Sequence, residues 1–163
     1  MLYKWLVFLH VFGVMGFMLA HGGTTTMTFL LRRQRDLDRM RALLDLSGNS
    51  WPAFAISFLI LFVSGVVAGF SGRWWGEGWI WTSLLILLGI SAYLGWTSRA
   101  HFHQLRKVLG LRYFEGGKDR PALPPASPEE IYAVQATLRP GLVAVVGIGG
   151  IVVILWLMMF KPF

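Results

Sequence analysis

The chain has 163 residues, 55% of them hydrophobic and 14% charged, with a formal net charge of +7 and no cysteine. The missing thiols exclude disulfides, thiolate metal sites and covalent c-type haem attachment. Four apolar stretches use up more than half the length, which leaves too little chain for a soluble domain with its own core.

Those stretches run over residues 2–31, 51–70, 79–98 and 141–160. A hydrocarbon core of about 30 Å takes about 20 apolar residues as a helix. Backbone groups in lipid must pair internally, and these continuous runs lack the alternation of a barrel strand. The expected fold is therefore all-α: one domain over 1–163, an integral membrane four-helix bundle.

In chain order, the first stretch is too long for a signal-peptide h-region and reads as a span. Thr24, Thr25, Thr26 and Thr28 precede the arginine run, so this helix is expected to project beyond the bilayer. Residues 35–46 mix charge with Leu37, Met40, Leu43, Leu44 and Leu46 at helical spacing, an amphipathic interfacial helix. Ser50 is expected to cap the second span, with Pro52 in its first turn. The glycine-rich turn 71–78 makes an antiparallel hairpin of spans two and three. Pro121, Pro124, Pro125 and Pro128 keep the next loop irregular. Ser127-Pro128-Glu129-Glu130 then starts a helix predicted to reach Arg139, with Pro140 ending or kinking it before span four. Gly13, Gly16, Ala20 and Gly23, then Gly65 and Gly69, then Gly141, Ala144, Gly147 and Gly150 form small-residue ridges for close helix packing. The alternative for such glycines is room for a flat cofactor.

All 15 lysines and arginines except Lys4, Arg73 and Lys161 fall between Arg32 and Arg41 or between Arg99 and Arg139. Basic loops stay in the cytoplasm. The loops after spans one and three are thus expected inside the cell membrane and both termini outside. A lipid bilayer, rather than nucleic acid, is the partner that this charge implies.

An ionisable side chain inside a membrane is a functional hypothesis by default. His10 and His21 lie eleven residues apart on span one. That is about three turns, so both point the same way about 16 Å apart. His101 and His103 follow Arg99 at the end of span three. Three readings compete. The first is haem b, with His10 and His21 as axial ligands, His103 or His101 as a second ligand and Arg99 pairing a propionate. Aligning Arg32 with Arg99 separates His21 from His103 by about 20 Å along the normal, so this pairing needs span one to project. The second is a metal such as copper, with His10, His21 and His103 as candidate ligands and Met15, Met18, Met158 or Met159 as soft partners. The third is structural, each histidine bonding a carbonyl or threonine across a helix interface. No nucleophile constellation, phosphate loop or intramembrane carboxylate is visible, so no enzyme activity is assigned.

The segment Trp5-Leu-Val-Phe-Leu-His10-Val-Phe-Gly-Val resembles the first span of small bacterial four-helix membrane proteins. These include the copper-resistance protein D-like family and the haem-binding protoporphyrinogen oxidase family. His10 matches the first-helix histidine of that phrase. His21-Gly-Gly-Thr-Thr-Thr and the Arg-Arg-Gln-Arg-Asp run depart from the pattern. The resemblance implies haem or copper and fixes no activity. The expected function is that of a b-type cytochrome-like protein carrying electrons within the bilayer, to or from a quinone or a larger complex. The alternatives are a non-catalytic accessory or assembly subunit, also as a homo-oligomer, and copper handling.

Overall fold

The computed structural model describes residues 1–163, the side chains of Asn49 and Ser98 excepted. The helices are α1 (Leu2–Arg33), α2 (Leu37–Asn49), α3 (Trp51–Gly72), α4 (Gly78–Val108), α5 (Pro128–Gln135), α6 (Pro140–Ala144) and α7 (Gly150–Phe160). A 3-10 turn over Trp74–Gly76 joins α3 to α4. A π-helical turn over Val145–Gly149 joins α6 to α7. Four helical stretches are long and apolar enough to cross a membrane: α1, α2 with α3, α4, and the run from α5 to α7.

Small residues decide which helices meet. A Cβ added at Gly13 would lie 2.5 Å from the Leu61 backbone nitrogen, and one at Gly16 would lie 2.5 Å from Ser57 Oγ. The axes of α1 and α3 therefore approach closely along most of their length, as glycine permits where helices associate without a hydrophobic drive. On the other side α4 and α7 pack through Ile90, Leu94 and Ile154, with Gly150 directly under Ile90. The expected hairpin of spans two and three is corrected here. The helices α3 and α4 share the Trp74–Gly76 turn but pack little beyond it. Both prefer other partners: Ser57, Leu61 and Gly65 of α3 meet α1, whereas Ile90 and Leu94 of α4 meet α7. The bundle is thus two helix pairs with space between them.

One end carries both chain termini and the α3–α4 turn. Trp79 N–H donates to Phe163 O at 3.1 Å, and Tyr3 meets Trp74 edge-on at 5.9 Å. Arg73, at φ 56°, ends α3 in the left-handed region. The opposite end holds the densest core of the molecule. Leu31, Met40, Leu44, Leu105, Leu109 and Ile131 are all buried there, bringing α1, α2, α4 and α5 together.

Gln135 ties this end down. A helix leaves its last carbonyls without intrahelical partners. Gln135 Nε2 donates to two carbonyls at the end of α1: to Leu31 O at 2.5 Å, which also accepts from Gln34 N–H at 3.3 Å, and to Gln34 O at 2.6 Å. Arg32 Nη1 donates to Gln135 O at 3.2 Å.

Local expectations fare unevenly. Asp36, rather than a residue of the apolar pattern, caps α2, accepting from Asp38 N at 2.9 Å and Arg39 N at 3.2 Å. Ser50 does not cap α3: its hydroxyl donates backward to Leu46 O at 2.9 Å, because its backbone is already helical. Ser127 does cap α5, accepting from Glu130 N at 3.3 Å. That helix stops at Gln135 instead of Arg139, and Pro140 opens α6 rather than breaking a helix. The helix α4 continues beyond residue 98 to Val108. A two-stranded hairpin, Tyr113–Glu115 (β1) with Lys118–Arg120 (β2), was not anticipated. Its turn is Gly116-Gly117, both at positive φ, which is the signature of a tight hairpin loop.

Candidate functional site

The space between the helix pairs forms two cavities, one toward each end. The larger, about 1590 Å³, opens between α1, α3 and α4 and is roofed by α2 and the β-hairpin. The smaller, about 300 Å³, lies beneath the tryptophan-rich end between α1, α3, α4 and α7.

His21, His103 and Arg99 line the larger cleft together. They are the residues that the haem reading required to meet, and they come from two different helices. The helix α1 is continuous through the threonine run to Arg33, with the threonine hydroxyls bonded to their own helix: Thr24 to Ala20 O at 3.0 Å and Thr28 to Thr24 O at 2.8 Å. His21 is only 4% exposed. Its ring is seated on Gly147, where a Cβ would overlap Nε2. The same Nε2 lies 3.4 Å from Thr25 Oγ1. Gly147 belongs to the π turn, and the wider turn widens α6–α7 at the position where the ring enters.

His103 is held from the hairpin side. Phe114 N–H donates to its Nδ1 at 3.2 Å, and the Phe114 ring lies 5.9 Å from the imidazole. An acceptor Nδ1 means that the neutral ring carries its proton on Nε2. Phe114 was missed in the sequence; the Gly116-Gly117 pair behind an aromatic dipeptide was the available signal.

The cleft mouth is basic. Arg106 pairs with Asp45 at 2.9 Å and Lys107 with Glu115 at 2.8 Å. The Lys107 hydrogen bond holds the Glu115 carboxyl below its ordinary range. Arg99 stands 5.9 Å over the Trp51 ring and has no carboxylate partner among the described residues. The wall below is apolar and aromatic, with Trp51, Phe54 and Trp96. A polar atom also lies within it: Ser91 Oγ is buried without a partner. Such a cleft suits a flat or elongated amphipath with its anionic end at Arg99.

The other two histidines are elsewhere. His10 lines the smaller cavity. Its Nδ1 bonds Leu61 O at 2.9 Å across the α1–α3 interface, and the ring rests on Gly65. Two of the glycines expected to pack helices or seat a cofactor thus seat histidine rings. His101 Nδ1 bonds Thr97 O at 2.7 Å, four residues back on its own helix, and it does not line the cleft. Met158 shares the smaller cavity with His10, whereas Met15 and Met159 are exposed. Among the described residues no three His, Cys, Asp or Glu side chains gather as a metal-ligand set.

No protein-family model, curated protein or solved structure matches the chain.

Proposed function

We propose that this is a multi-pass membrane protein of b-type cytochrome character, with haem held in the larger cleft. The observation that carries the reading is the convergence of His21, His103 and Arg99 on that one cleft. Bound haem would supply a one-electron iron couple. The protein's own part is threefold. His21 and His103 would hold the iron, His21 only once its ring leaves the seat on Gly147 that encloses Nε2. Arg99, without a carboxylate partner among the described residues, would pair with a propionate. The aromatic wall of Trp51, Phe54 and Trp96 would shield the group from water. His103 would bind through Nε2 only by exchanging the Phe114 hydrogen bond, since a ligating Nε2 must give up its proton. In this reading the basic end, with α2 and α5, is cytoplasmic, and the end with Trp74, Trp79 and both termini is outside.

The test is an oxidised and dithionite-reduced visible spectrum of detergent-purified protein expressed with ample haem. A Soret band with a sharp reduced α-band, lost in His21→Ala, supports the reading. A featureless spectrum, or full haem content in both His21→Ala and His103→Ala, refutes it.

A second reading, an accessory subunit docked onto a larger membrane complex, is favoured by one observation. Gly22, Gly23 and Gly89 face open space, so parts of α1 and α4 keep small-residue surfaces that no helix of this chain covers. Co-purification of further subunits in mild detergent, without haem, would select this reading. Copper without porphyrin would select copper handling instead.

A further inference from the structure

The smaller cavity is a slot that runs along the helices. On α1 its wall is one stripe, Tyr3, Val7, His10, Val14 and Phe17, spaced by three and four so that all share a helix face. On α7 the wall runs from Lys161 down to Ile151. Both stripes follow a helix axis, so the space of about 300 Å³ is drawn out over about 15 Å along α7 and about 21 Å along α1. A space that long and narrow fits an extended chain better than a ring.

The wall is apolar. Ser83 Oγ and Trp75 Nε1 have essentially no accessible surface, so these two residues present carbon to the slot. His10 is occupied with its neighbours: Nδ1 bonds Leu61 O, and the ring fills the notch at Gly65. Apolar space left empty forfeits the dispersion contacts of every side chain around it, which favours an apolar occupant.

Charge is confined to the mouth. Lys161 is exposed there, with Nζ 4.6 Å over the Trp74 ring and 5.5 Å over Trp79. The indole faces hold the ammonium in place but supply no counter-charge, and no carboxylate pairs with it among the described residues. The charged side chains of this end are Lys4, Arg73 and Lys161 against Glu77 alone. Indoles in such a belt mark the depth of lipid head groups. The mouth therefore sets a positive charge at that depth, directly over an apolar slot.

We propose that the slot holds a long-chain fatty acid, its carboxylate paired with Lys161 Nζ and its tail reaching toward Phe17 and Ile151. One narrow slot and one cation at its mouth match one chain with one anionic end. A two-chain lipid would leave its second chain outside. The proposal does not depend on haem in the larger cleft.

The test uses haem-free full-length protein in detergent micelles, in mildly alkaline buffer where the acid is ionised. The probes are hexadecanoate brominated beside the carboxyl group and hexadecanoate brominated at the chain end. Bromine quenches tryptophan on contact, and the tryptophans that line the slot, Trp74, Trp75 and Trp79, all stand at its mouth. Quenching that unlabelled hexadecanoate displaces should therefore be strong with the head-brominated probe and weak with the tail-brominated one. The methyl ester keeps the chain without the charge and should displace about two- to fivefold less effectively than the acid, as an exposed ion pair allows. Lys161→Gln should weaken the acid to the level of the ester and leave the ester unchanged, a split that general loss of structure would not produce. Leu84→Phe, about 7 Å below Trp79, should block the slot and remove the displaceable quenching. Equal displaceable quenching by both probes, equal affinity of acid and ester, wild-type behaviour of both variants, or no displaceable quenching would each overturn the proposal. So would displacement by an anionic phospholipid but not by hexadecanoate, which would make the occupant a two-chain lipid of the bilayer.

Discussion

Adding one methyl group at Gly147 should expel His21 from its seat. A Cβ there overlaps Nε2 and crowds Cδ2, at 2.9 Å, of a ring that is 4% exposed. Either the ring swings into the larger cleft or α6–α7 moves away from α1. Overpacking of this kind costs about 1–3 kcal/mol, and loss of the Thr25 contact adds about 0.5–1.5 kcal/mol. Gly147→Ala should therefore destabilise by about 2–4 kcal/mol. In a His21→Ala background the same methyl enters empty space, and alanine is the better helix former by about 0.5–1 kcal/mol. There Gly147→Ala should cost nothing or stabilise slightly. The double-mutant cycle should thus give a coupling of about 2–5 kcal/mol. Reversible unfolding in mixed micelles at rising dodecyl sulfate fraction, followed by tryptophan fluorescence, measures all four corners. If Gly147→Ala costs the same in both backgrounds, to within about 0.5 kcal/mol, His21 does not sit on Gly147 and the packing argument fails. The single variant also bears on the cleft. A ring forced out of its seat should change haem content or spectrum while the fold survives.

Other outcomes follow from the same geometry. Gln135→Ala removes the side-chain donor from the Gln34 carbonyl and one of the two donors from the Leu31 carbonyl at the end of α1. It should destabilise by about 2–4 kcal/mol in the same assay, whereas an exposed polar residue such as Gln104 changed to Ala should stay within about 0.5 kcal/mol. Ser127→Ala removes the α5 cap and should cost about 1 kcal/mol, with Ser127→Asp close to wild type. Gly117→Ala puts a Cβ at φ 78° and should loosen the hairpin by about 1 kcal/mol, seen as faster amide exchange at Phe114 and a changed tautomer balance at His103 by nitrogen NMR. The Glu115–Lys107 pair has a definite sign. A carboxyl held below its ordinary range contributes stability above that range and loses it as pH falls through the folded-state value. The difference in melting temperature between wild type and Glu115→Gln should thus be present at neutral pH and vanish on acidification. A difference that persists in acid would mean that the ion pair is not its source.

The four apolar stretches and the clustering of charge at one end are legible in the sequence, because helix length in lipid and the placement of basic residues are local properties. The α5 start was equally legible, since Ser127, Pro128 and Glu130 act within one turn. What sequence spacing could not decide is which helices pair. Gly13 and Gly65 announce a close approach but not the partner, and only the folded chain shows Leu61 and the His10 ring filling those notches. For the same reason the sequence could set His10 and His21 on one stripe of α1 yet not divide them. Their separation into two cavities follows from α3 packing on α1 and α4 on α7, leaving α3 and α4 apart. Helical phase says where a side chain points. What it meets depends on the non-local packing of four helices, and that decided whether each histidine faces a glycine, a carbonyl or a cleft.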